Sequence, residues 1–198
     1  MKNVLDHPGA FAAFKNLFRS GDASRRYVDT FLRPRPGDRV LDIGCGVADI
    51  LAALPEVEYH GFDSNADYIR IARARFKDRG RFAVQAVGDD FDAQYRGFHL
   101  ALASGVLHHL NDDEALALLG LAHAALLPGG RLVTLDGCRA PGQGWLTSLM
   151  LNMDRGRFVR TEEAYVSLAS RVFSRVTTHF RTNLIRFPYP HLVMECER

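Results

Sequence analysis

Short apolar runs alternate with segments of helical periodicity along the middle of the chain, from residue 39 to about residue 136. The apolar runs have the length and the flanking turn residues of buried strands. They cover 39–43, 57–62, 81–87, 98–103 and 131–136. Strands that alternate with helices in this way are typical of βαβ units and predict a parallel sheet.

Helical patterns fill the intervals between these strands and also precede them. The predicted helices cover 10–20, 23–32, 47–54, 65–78 and 112–126. Asn111 and Glu114 have the spacing of a capping box at the start of the last of these helices. Pro34 and Pro36 end the second helix, because proline cannot continue a helix.

The alternation of apolar runs with helical segments ends after Asp136. We expect a short helix near 144–152, a helix at 161–170, and two strands at 174–186 and 190–197. A short turn joins the last two strands, which must therefore be antiparallel. The expected fold class is α/β: a Rossmann-like, doubly wound sheet of five parallel strands plus an antiparallel C-terminal hairpin, with helices on both faces.

Composition narrows the class of protein but not its partner. The 198 residues fit one domain, and 47% hydrophobic with 24% charged residues is ordinary for a globular protein. The net charge of +2 gives no argument for nucleic-acid binding. Three cysteines without a CxxC pair predict neither a disulfide framework nor a metal site. With no secretory segment and no membrane-spanning apolar run, we expect a cytoplasmic protein.

The strongest local motif is VLDIGCG at 40–46, where a buried strand ends in a glycine turn that leads into a helix. Gly44 and Gly46 allow a ligand to approach the backbone closely. Asp63 follows about 20 residues later, where an acid accepts hydrogen bonds from ribose hydroxyls; capping of the next helix is the alternative. Asp49 occupies the third glycine position of the dinucleotide fingerprint, and its carboxylate would repel a pyrophosphate.

Taken together, the motifs of the chain resemble those of the class I S-adenosylmethionine-dependent methyltransferases. The resembling segments follow the family's order and are VLDIGCG (40–46), GFDSN (61–65), GDD (88–90), LASGVLHHL (102–110) and LLPGGRLVTLD (126–136). The final hairpin is similar as well, since the family's seventh strand is antiparallel. The departure is Val47-Ala48-Asp49, where the family often has a third glycine.

The resemblance implies S-adenosylmethionine as the cofactor and assigns its binding residues. Asp42, Gly44, Cys45 and Gly46 would contact or enclose the methionine part, Asp63 and Ser64 the ribose, Asp89, Asp90 and Phe91 the adenine, and Ser104 and Gly105 the floor beneath the sulfonium. Arg19 on the N-terminal helix would neutralise the cofactor's carboxylate; a solvated surface arginine is the alternative.

Candidate catalytic residues follow the fourth and fifth strands. His108 and His109 lie near the expected methyl group, and a histidine suits a general base because its pKa is near neutral pH. We place His109 ahead of His108, with packing or capping as the alternative for both. Asp136 ends the fifth strand, at the edge where α/β sheets bind ligands; a turn carboxylate held by nearby N–H groups is its alternative role.

We expect a single methyltransferase domain over 1–198, with an N-terminal helical cap at 1–36 and an acceptor-cap insertion at 139–172. The insertion carries arginines that could clamp an acidic acceptor and apolar residues that could wall a pocket. They are Arg139, Arg155, Arg157, Arg160, Trp145, Met150 and Met153. Tyr189 and His191 could also reach this pocket. The alternative is an ordinary loop with solvated arginines.

The sequence therefore predicts an enzyme that transfers a methyl group to a small-molecule acceptor, as a monomer or a homodimer, without membrane contact. Four alternatives stay open. One is a methyltransferase acting on RNA or another macromolecule, and another is a catalytically inactive S-adenosylmethionine-binding subunit. The third is an NAD-dependent oxidoreductase, against which the missing third glycine and the GDD and HHL segments argue. The fourth is an enzyme whose site directs other sulfonium chemistry instead of methyl transfer.

Overall fold

The computed structural model describes residues 21–87, 95–139, 157–182 and 190–198. Its strands are β1 Arg39–Ile43, β2 Glu58–Asp63, β3 Gly80–Val84, β4 Phe98–Ser104, β5 Leu126–Arg139, β6 Arg160–Thr161, β7 Arg175–Arg181 and β8 His191–Glu197. Its helices are α1 Gly21–Tyr27, α2 Ala66–Phe76, α3 Asp112–Ala125 and α4 Glu162–Ala169. A π-helical turn, Val28–Leu32, continues α1, and 3₁₀ turns cover Asp49–Ala52, Lys77–Arg79 and Leu107–His109.

The strands form one sheet in the order β3-β2-β1-β4-β5-β8-β7, with the short β6 paired to the end of β5. Strands β1 to β5 are mutually parallel. The last strand, β8, is antiparallel to both β5 and β7. The expected fold class is thus confirmed, with the second strand of the C-terminal hairpin inserted next to β5.

The order of the strands reverses at β1. The chain goes from β1 to β2 and β3 on one side, then returns to place β4 on the other side of β1. In this register Asp42 of β1 lies opposite Gly61 of β2 and Leu102 of β4. At such a reversal the connections leave in opposite directions, so a crevice opens at the carboxyl ends of the strands.

The expected helix at 47–54 shrinks to a 3₁₀ turn, Asp49–Ala52. Ala48 takes a left-handed conformation with φ of 57°, which is incompatible with a helix running through it. By contrast, α2 starts close to its expected position, because the Asn65 side chain accepts from the N–H groups of Asp67 and Tyr68. The capping box of Asn111 and Glu114 is formed at α3.

Strand β5 is longer than expected, because the Pro128-Gly129-Gly130 segment is a bulge within it rather than a turn before it. Phe98 pairs with Leu126, whereas Leu100 pairs with Arg131, so extra residues lie on the β5 side. Strand β3 ends at Val84 instead of residue 87. The expected helix near 144–152 lies outside the described residues.

Both faces of the sheet are covered by helices. On one face α3 and α4 contribute Leu118, Leu119 and Tyr165, all at most 1% exposed. On the other face α1 with its π-helical turn and α2 contribute Leu32 and Ile69. Within the part of the chain that the structure describes, no helix is both long and apolar enough to cross a bilayer.

Replacing Leu118 by alanine should lower the free energy of unfolding by about 2–5 kcal/mol, because this fully buried side chain would leave a cavity under α3. Urea denaturation followed by circular dichroism measures the loss. Leu127→Ala, at a partly exposed position of the β5 bulge, is the matched control and should cost less. Equal losses at the two positions would contradict this account of the core.

Candidate functional site

The glycine turn after β1 is fixed to the end of the neighbouring strand. The backbone N–H groups of Gly44 and Cys45 both donate to the Phe62 carbonyl, at 2.8 and 2.9 Å. Gly44 and Gly46 have φ of 71° and 56°, the left-handed region in which glycine is favoured. A Cβ at Gly46 would have no heavy atom within 4 Å, so the space beside this residue is open to a ligand.

Gly44 touches the loop that follows β4. A Cβ at this position would come within 2.7 Å of Val106 Cγ2, so Val106 would have to shift to admit any other residue. Gly105 in the same loop donates its N–H to the Leu135 carbonyl of β5, at 2.7 Å. The turns after β1 and β4 and the end of β5 are therefore packed as one unit.

Asp63 at the end of β2 faces the glycine turn. Its Oδ2 accepts the Gly46 N–H at 2.9 Å, and its Oδ1 accepts the Asn65 N–H at 2.8 Å. The helix cap itself is Asn65, so capping of α2 is not the task of Asp63. The carboxylate is partly exposed, and each oxygen can accept a further hydrogen bond.

A buried hydrogen-bonded pair, Asp42 of β1 and Tyr59 of β2, lies next to this turn. The Tyr59 hydroxyl donates to Asp42 Oδ2 at 2.5 Å, and both residues are at most 4% exposed. Burial, and then the Asp42 carboxylate, raise the pKa of Tyr59 well above its ordinary value, so it remains a donor. Burial, followed by Asp42 and Asp63, also raises the pKa of the Cys45 thiol far above its usual range. Cys45 is therefore a protonated thiol and not a nucleophile.

Helix α1 contacts the carboxyl end of β4 at the crevice. The Tyr27 hydroxyl lies 3.3 Å from Ser104 Oγ, at the end of β4, and the tyrosine itself is 4% exposed. Ser64 follows Asp63 and is exposed. The described members of the expected cofactor set thus lie on the consecutive carboxyl ends of β2, β1 and β4.

The two adjacent histidines have different environments. His108 is 6% exposed, and its Nδ1 lies 2.8 Å from Asp136 Oδ1, which also accepts the His108 backbone N–H at 3.2 Å. Asp136 is 2% exposed, and its buried Oδ2 has no hydrogen-bond partner among the described residues. His109 is exposed, with its ring centroid 4.1 Å from that of His108. The structure therefore brings His108, rather than His109, together with Asp136.

The arginines expected to face an acceptor differ in what they contact. Arg160 bonds the carbonyls of Leu107 and Leu110 and the Asp112 carboxylate, and Arg139 Nε donates to the Val159 carbonyl. Arg157 is exposed, and His191 begins β8 beside Gly137. The other expected site residues lie outside the described residues: Arg19, Asp89, Asp90, Phe91, Trp145, Met150, Met153, Arg155 and Tyr189.

Two residues of this site were not identified from the sequence. Tyr59 could have been found by asking which neighbouring side chain satisfies Asp42, since both lie in adjacent strands of the predicted sheet. Tyr27 carries no signal in the sequence, because its contact with Ser104 spans 77 residues.

The fold and the site define the class of protein: a doubly wound α/β domain with a glycine-acid ligand site at its strand reversal. Residues 41–132 match the family model described as a methyltransferase domain. This match, together with the fold, supports a class I S-adenosylmethionine-dependent methyltransferase, and S-adenosylmethionine is the cofactor of that family.

Solved structures share the fold, and curated relatives share part of the sequence. A TehB-like S-adenosylmethionine-dependent methyltransferase from Corynebacterium glutamicum superposes with a TM-score of 0.68 at 21% identity, over 98% of this chain and 99% of that one. Phosphoethanolamine N-methyltransferase 2 of Haemonchus contortus gives 0.78 at 14%, over 98% and 58%. Aclacinomycin 10-hydroxylase RdmB of Streptomyces purpurascens is 32% identical over 169 residues, 79% of this chain and 45% of that protein. The chain spans less than half the length of the first curated relatives it matches.

Replacing Gly44 by alanine should destabilise the protein more than the same change at Gly37. Both glycines have positive φ, which costs an alanine about 1–2 kcal/mol. Only at Gly44 would the new Cβ also meet a neighbour, Val106, which adds about 1–3 kcal/mol of overpacking. Urea denaturation of the two variants measures the difference, and equal losses would show that the contact with Val106 relaxes freely.

Proposed function

We propose that this chain transfers the methyl group of S-adenosylmethionine to a hydroxyl or amine of a small-molecule acceptor, with His108 as the general base. The single observation that carries the proposal is the buried hydrogen bond between His108 and Asp136 at the carboxyl ends of β4 and β5. The cofactor supplies an activated methyl group on its sulfonium. The protein's tasks are to bind, to align and, where the acceptor carries a proton, to remove it.

The residues present fit this cofactor. The open space beside Gly46 admits a ligand against the backbone, and both Asp63 oxygens can accept bonds from the two hydroxyls of a ribose. Asp42, Gly44 and Cys45 would enclose the methionine part, and Ser104 and Gly105 would lie beneath the sulfonium. Asp63 already accepts the Gly46 N–H, so the group that binds ribose also holds the glycine turn in place.

The pair of His108 and Asp136 has a defined proton arrangement. Where the Asp136 carboxylate accepts this hydrogen bond, Nδ1 of His108 is the donor and Nε2 is the basic ring nitrogen. Because Asp136 Oδ1 accepts from the backbone and the ring of the same residue, the imidazole has little freedom to rotate. Such a base, with fixed tautomer and orientation, suits proton removal from an acceptor during methyl transfer.

The relatives support a small acceptor without identifying it. One is named 3-amino-4-hydroxybenzoate 4-O-methyltransferase, and another phosphoethanolamine N-methyltransferase. Others are named as tRNA or ribosomal RNA methyltransferases. The net charge of +2 is small for a protein that must bind a polyanion, which favours the small acceptor.

Asp63→Asn should weaken binding of S-adenosylhomocysteine roughly ten- to hundredfold, because one carboxylate oxygen becomes an amide that cannot accept a hydrogen bond. Isothermal titration calorimetry measures the dissociation constant, with NAD as the competing ligand class. Asp67→Asn, on the exposed first turn of α2, is the matched control and should bind like the unchanged protein. Binding of NAD in preference to S-adenosylhomocysteine would contradict the proposed cofactor.

His108→Gln should lower the rate of methyl transfer roughly a hundred- to ten-thousandfold while leaving S-adenosylhomocysteine binding intact, since a general base contributes to the chemical step. His109→Gln is the matched control, and its rate should stay within a fewfold of the unchanged protein. The assay follows the labelled methyl group of S-adenosylmethionine into aminohydroxybenzoates, phosphoethanolamine and tRNA.

The same assay separates the competing functions. Transfer of the label to tRNA but to none of the small molecules would contradict the proposed acceptor class. Cofactor binding without any labelled product across the panel would favour an inactive subunit. Mass spectrometry of each product is included because one relative is named a hydroxylase, and added oxygen differs in mass from an added methyl group. Equal loss of rate in the two histidine variants would contradict the role of His108.

A further inference from the structure

The guanidinium of Arg160 lies against the turn that carries His108. Its side chain is only 9% exposed, although arginine is rarely buried without partners. Nη1 donates to the Leu107 carbonyl at 2.9 Å, and Nη2 donates to the Leu110 carbonyl at 2.7 Å. These two carbonyls flank His108 and His109, so one side chain fixes both ends of the histidine pair.

The backbone around Arg160 holds the same turn and the strand of Asp136. The Phe158 N–H donates to the His108 carbonyl at 3.0 Å. Arg160 itself pairs with Cys138 of β5, two residues beyond Asp136. A single short segment therefore connects the strand that carries the carboxylate with the turn that carries the imidazole.

The orientation of the guanidinium is set from its other side. Asp112 Oδ1, at the start of α3, accepts from Nε at 3.0 Å and from Nη2 at 2.7 Å. The Tyr165 ring lies below, with its centroid 5.7 Å from Arg160 Cζ. This use of a planar fork against several acceptors is specific to arginine, since a lysine ammonium cannot reach both carbonyls at once.

We propose that Arg160 is a positioning residue for His108, acting through the Leu107–His109 turn; the inference rests on the proposed role of His108 as the base. A 3₁₀ turn of three residues has weak hydrogen bonds of its own, so its geometry depends on outside partners. Without the guanidinium, the Leu107 carbonyl keeps the Leu110 N–H as its donor, at 3.2 Å, but both carbonyls lose their bonds to Arg160, and the imidazole shifts relative to Asp136. A displacement of about 1 Å in a catalytic group can cost on the order of a hundredfold in rate.

Nitrogen-15 NMR of the histidine side chains tests this without knowledge of the acceptor. Spectra are recorded on the full chain with S-adenosylhomocysteine, and the His108 signals are assigned with His108→Gln. The variants are Arg160→Gln and Arg160→Lys. Arg175→Gln, at an exposed arginine that pairs with Glu197 across the sheet surface, is the matched control. Asp112→Ala removes the orienting carboxylate but neither carbonyl bond.

In the unchanged protein and in Arg175→Gln, His108 should show one tautomer with the proton on Nδ1. Arg160→Gln should shift or broaden the His108 ring signals, Arg160→Lys should do so less, and Asp112→Ala should affect them least. A lower melting temperature with unchanged His108 signals in both Arg160 variants would overturn the proposal, since it would show a merely structural role. If Arg160→Gln does not fold, Arg160→Lys decides by the same criterion.

These outcomes are separate from those that test the proposed function. Failure of S-adenosylhomocysteine to bind, or absence of methyl transfer to every acceptor, would overturn the function while the NMR comparison still measured the link from Arg160 to His108. The converse result is methyl transfer that requires His108, with His108 ring signals that are unchanged in the Arg160 variants. It would support the proposed function and contradict the positioning role of Arg160.

Discussion

The parallel pairing of β1 with both β2 and β4 is the constraint on which the rest of the structure depends. It places the carboxyl ends of three strands side by side, and the connections leave them in opposite directions. The crevice that results lies beside the turn that follows β1. The Phe62 carbonyl then accepts both N–H groups of Gly44 and Cys45, so the turn after β1 is shaped by the strand beside it. The glycine turn is therefore a property of the sheet as much as of its own sequence.

Close contacts between backbone groups and short side chains connect this edge of the sheet to the rest of the site. Gly44 packs on Val106, Gly105 donates to Leu135, and His108 bonds Asp136 one residue further along β5. These contacts are made by the backbone and by short side chains. They therefore restrict movement between the glycine turn after β1 and the Leu107–His109 turn. Alignment of donor and acceptor in a methyl transfer depends on the distance between these two turns.

The sequence predicts the parts of this arrangement whose causes are local. The strands follow from apolar runs, the cap of α3 from Asn111 and Glu114, and the ligand turn from Gly44, Gly46 and Asp63. It does not predict features that depend on distant partners. Ala48 adopts positive φ although alanine gives no hint of it, which shortens the helix expected at 47–54. His108 and His109 are indistinguishable in sequence, since only the approach of β5 decides which one is buried against Asp136. Arg160 donates to carbonyls 50 and 53 residues away. Every residue has a backbone carbonyl, so the sequence does not indicate which ones accept.

Two buried polar side chains on the same face of β5 differ from those elsewhere in the described residues. Thr134 Oγ1 and Asp136 Oδ2 are buried without a hydrogen-bond partner, whereas the equally buried Asp42 has its Oδ2 satisfied by Tyr59. A buried polar atom left unsatisfied costs about 1–3 kcal/mol, so the two bonds that Asp136 Oδ1 makes to His108 come with an unsatisfied Oδ2. A carboxylate kept in spite of that cost is what a site under functional demand should contain. Among the described residues, the unsatisfied buried side-chain atoms thus lie on β5 next to His108, and not in the glycine turn after β1.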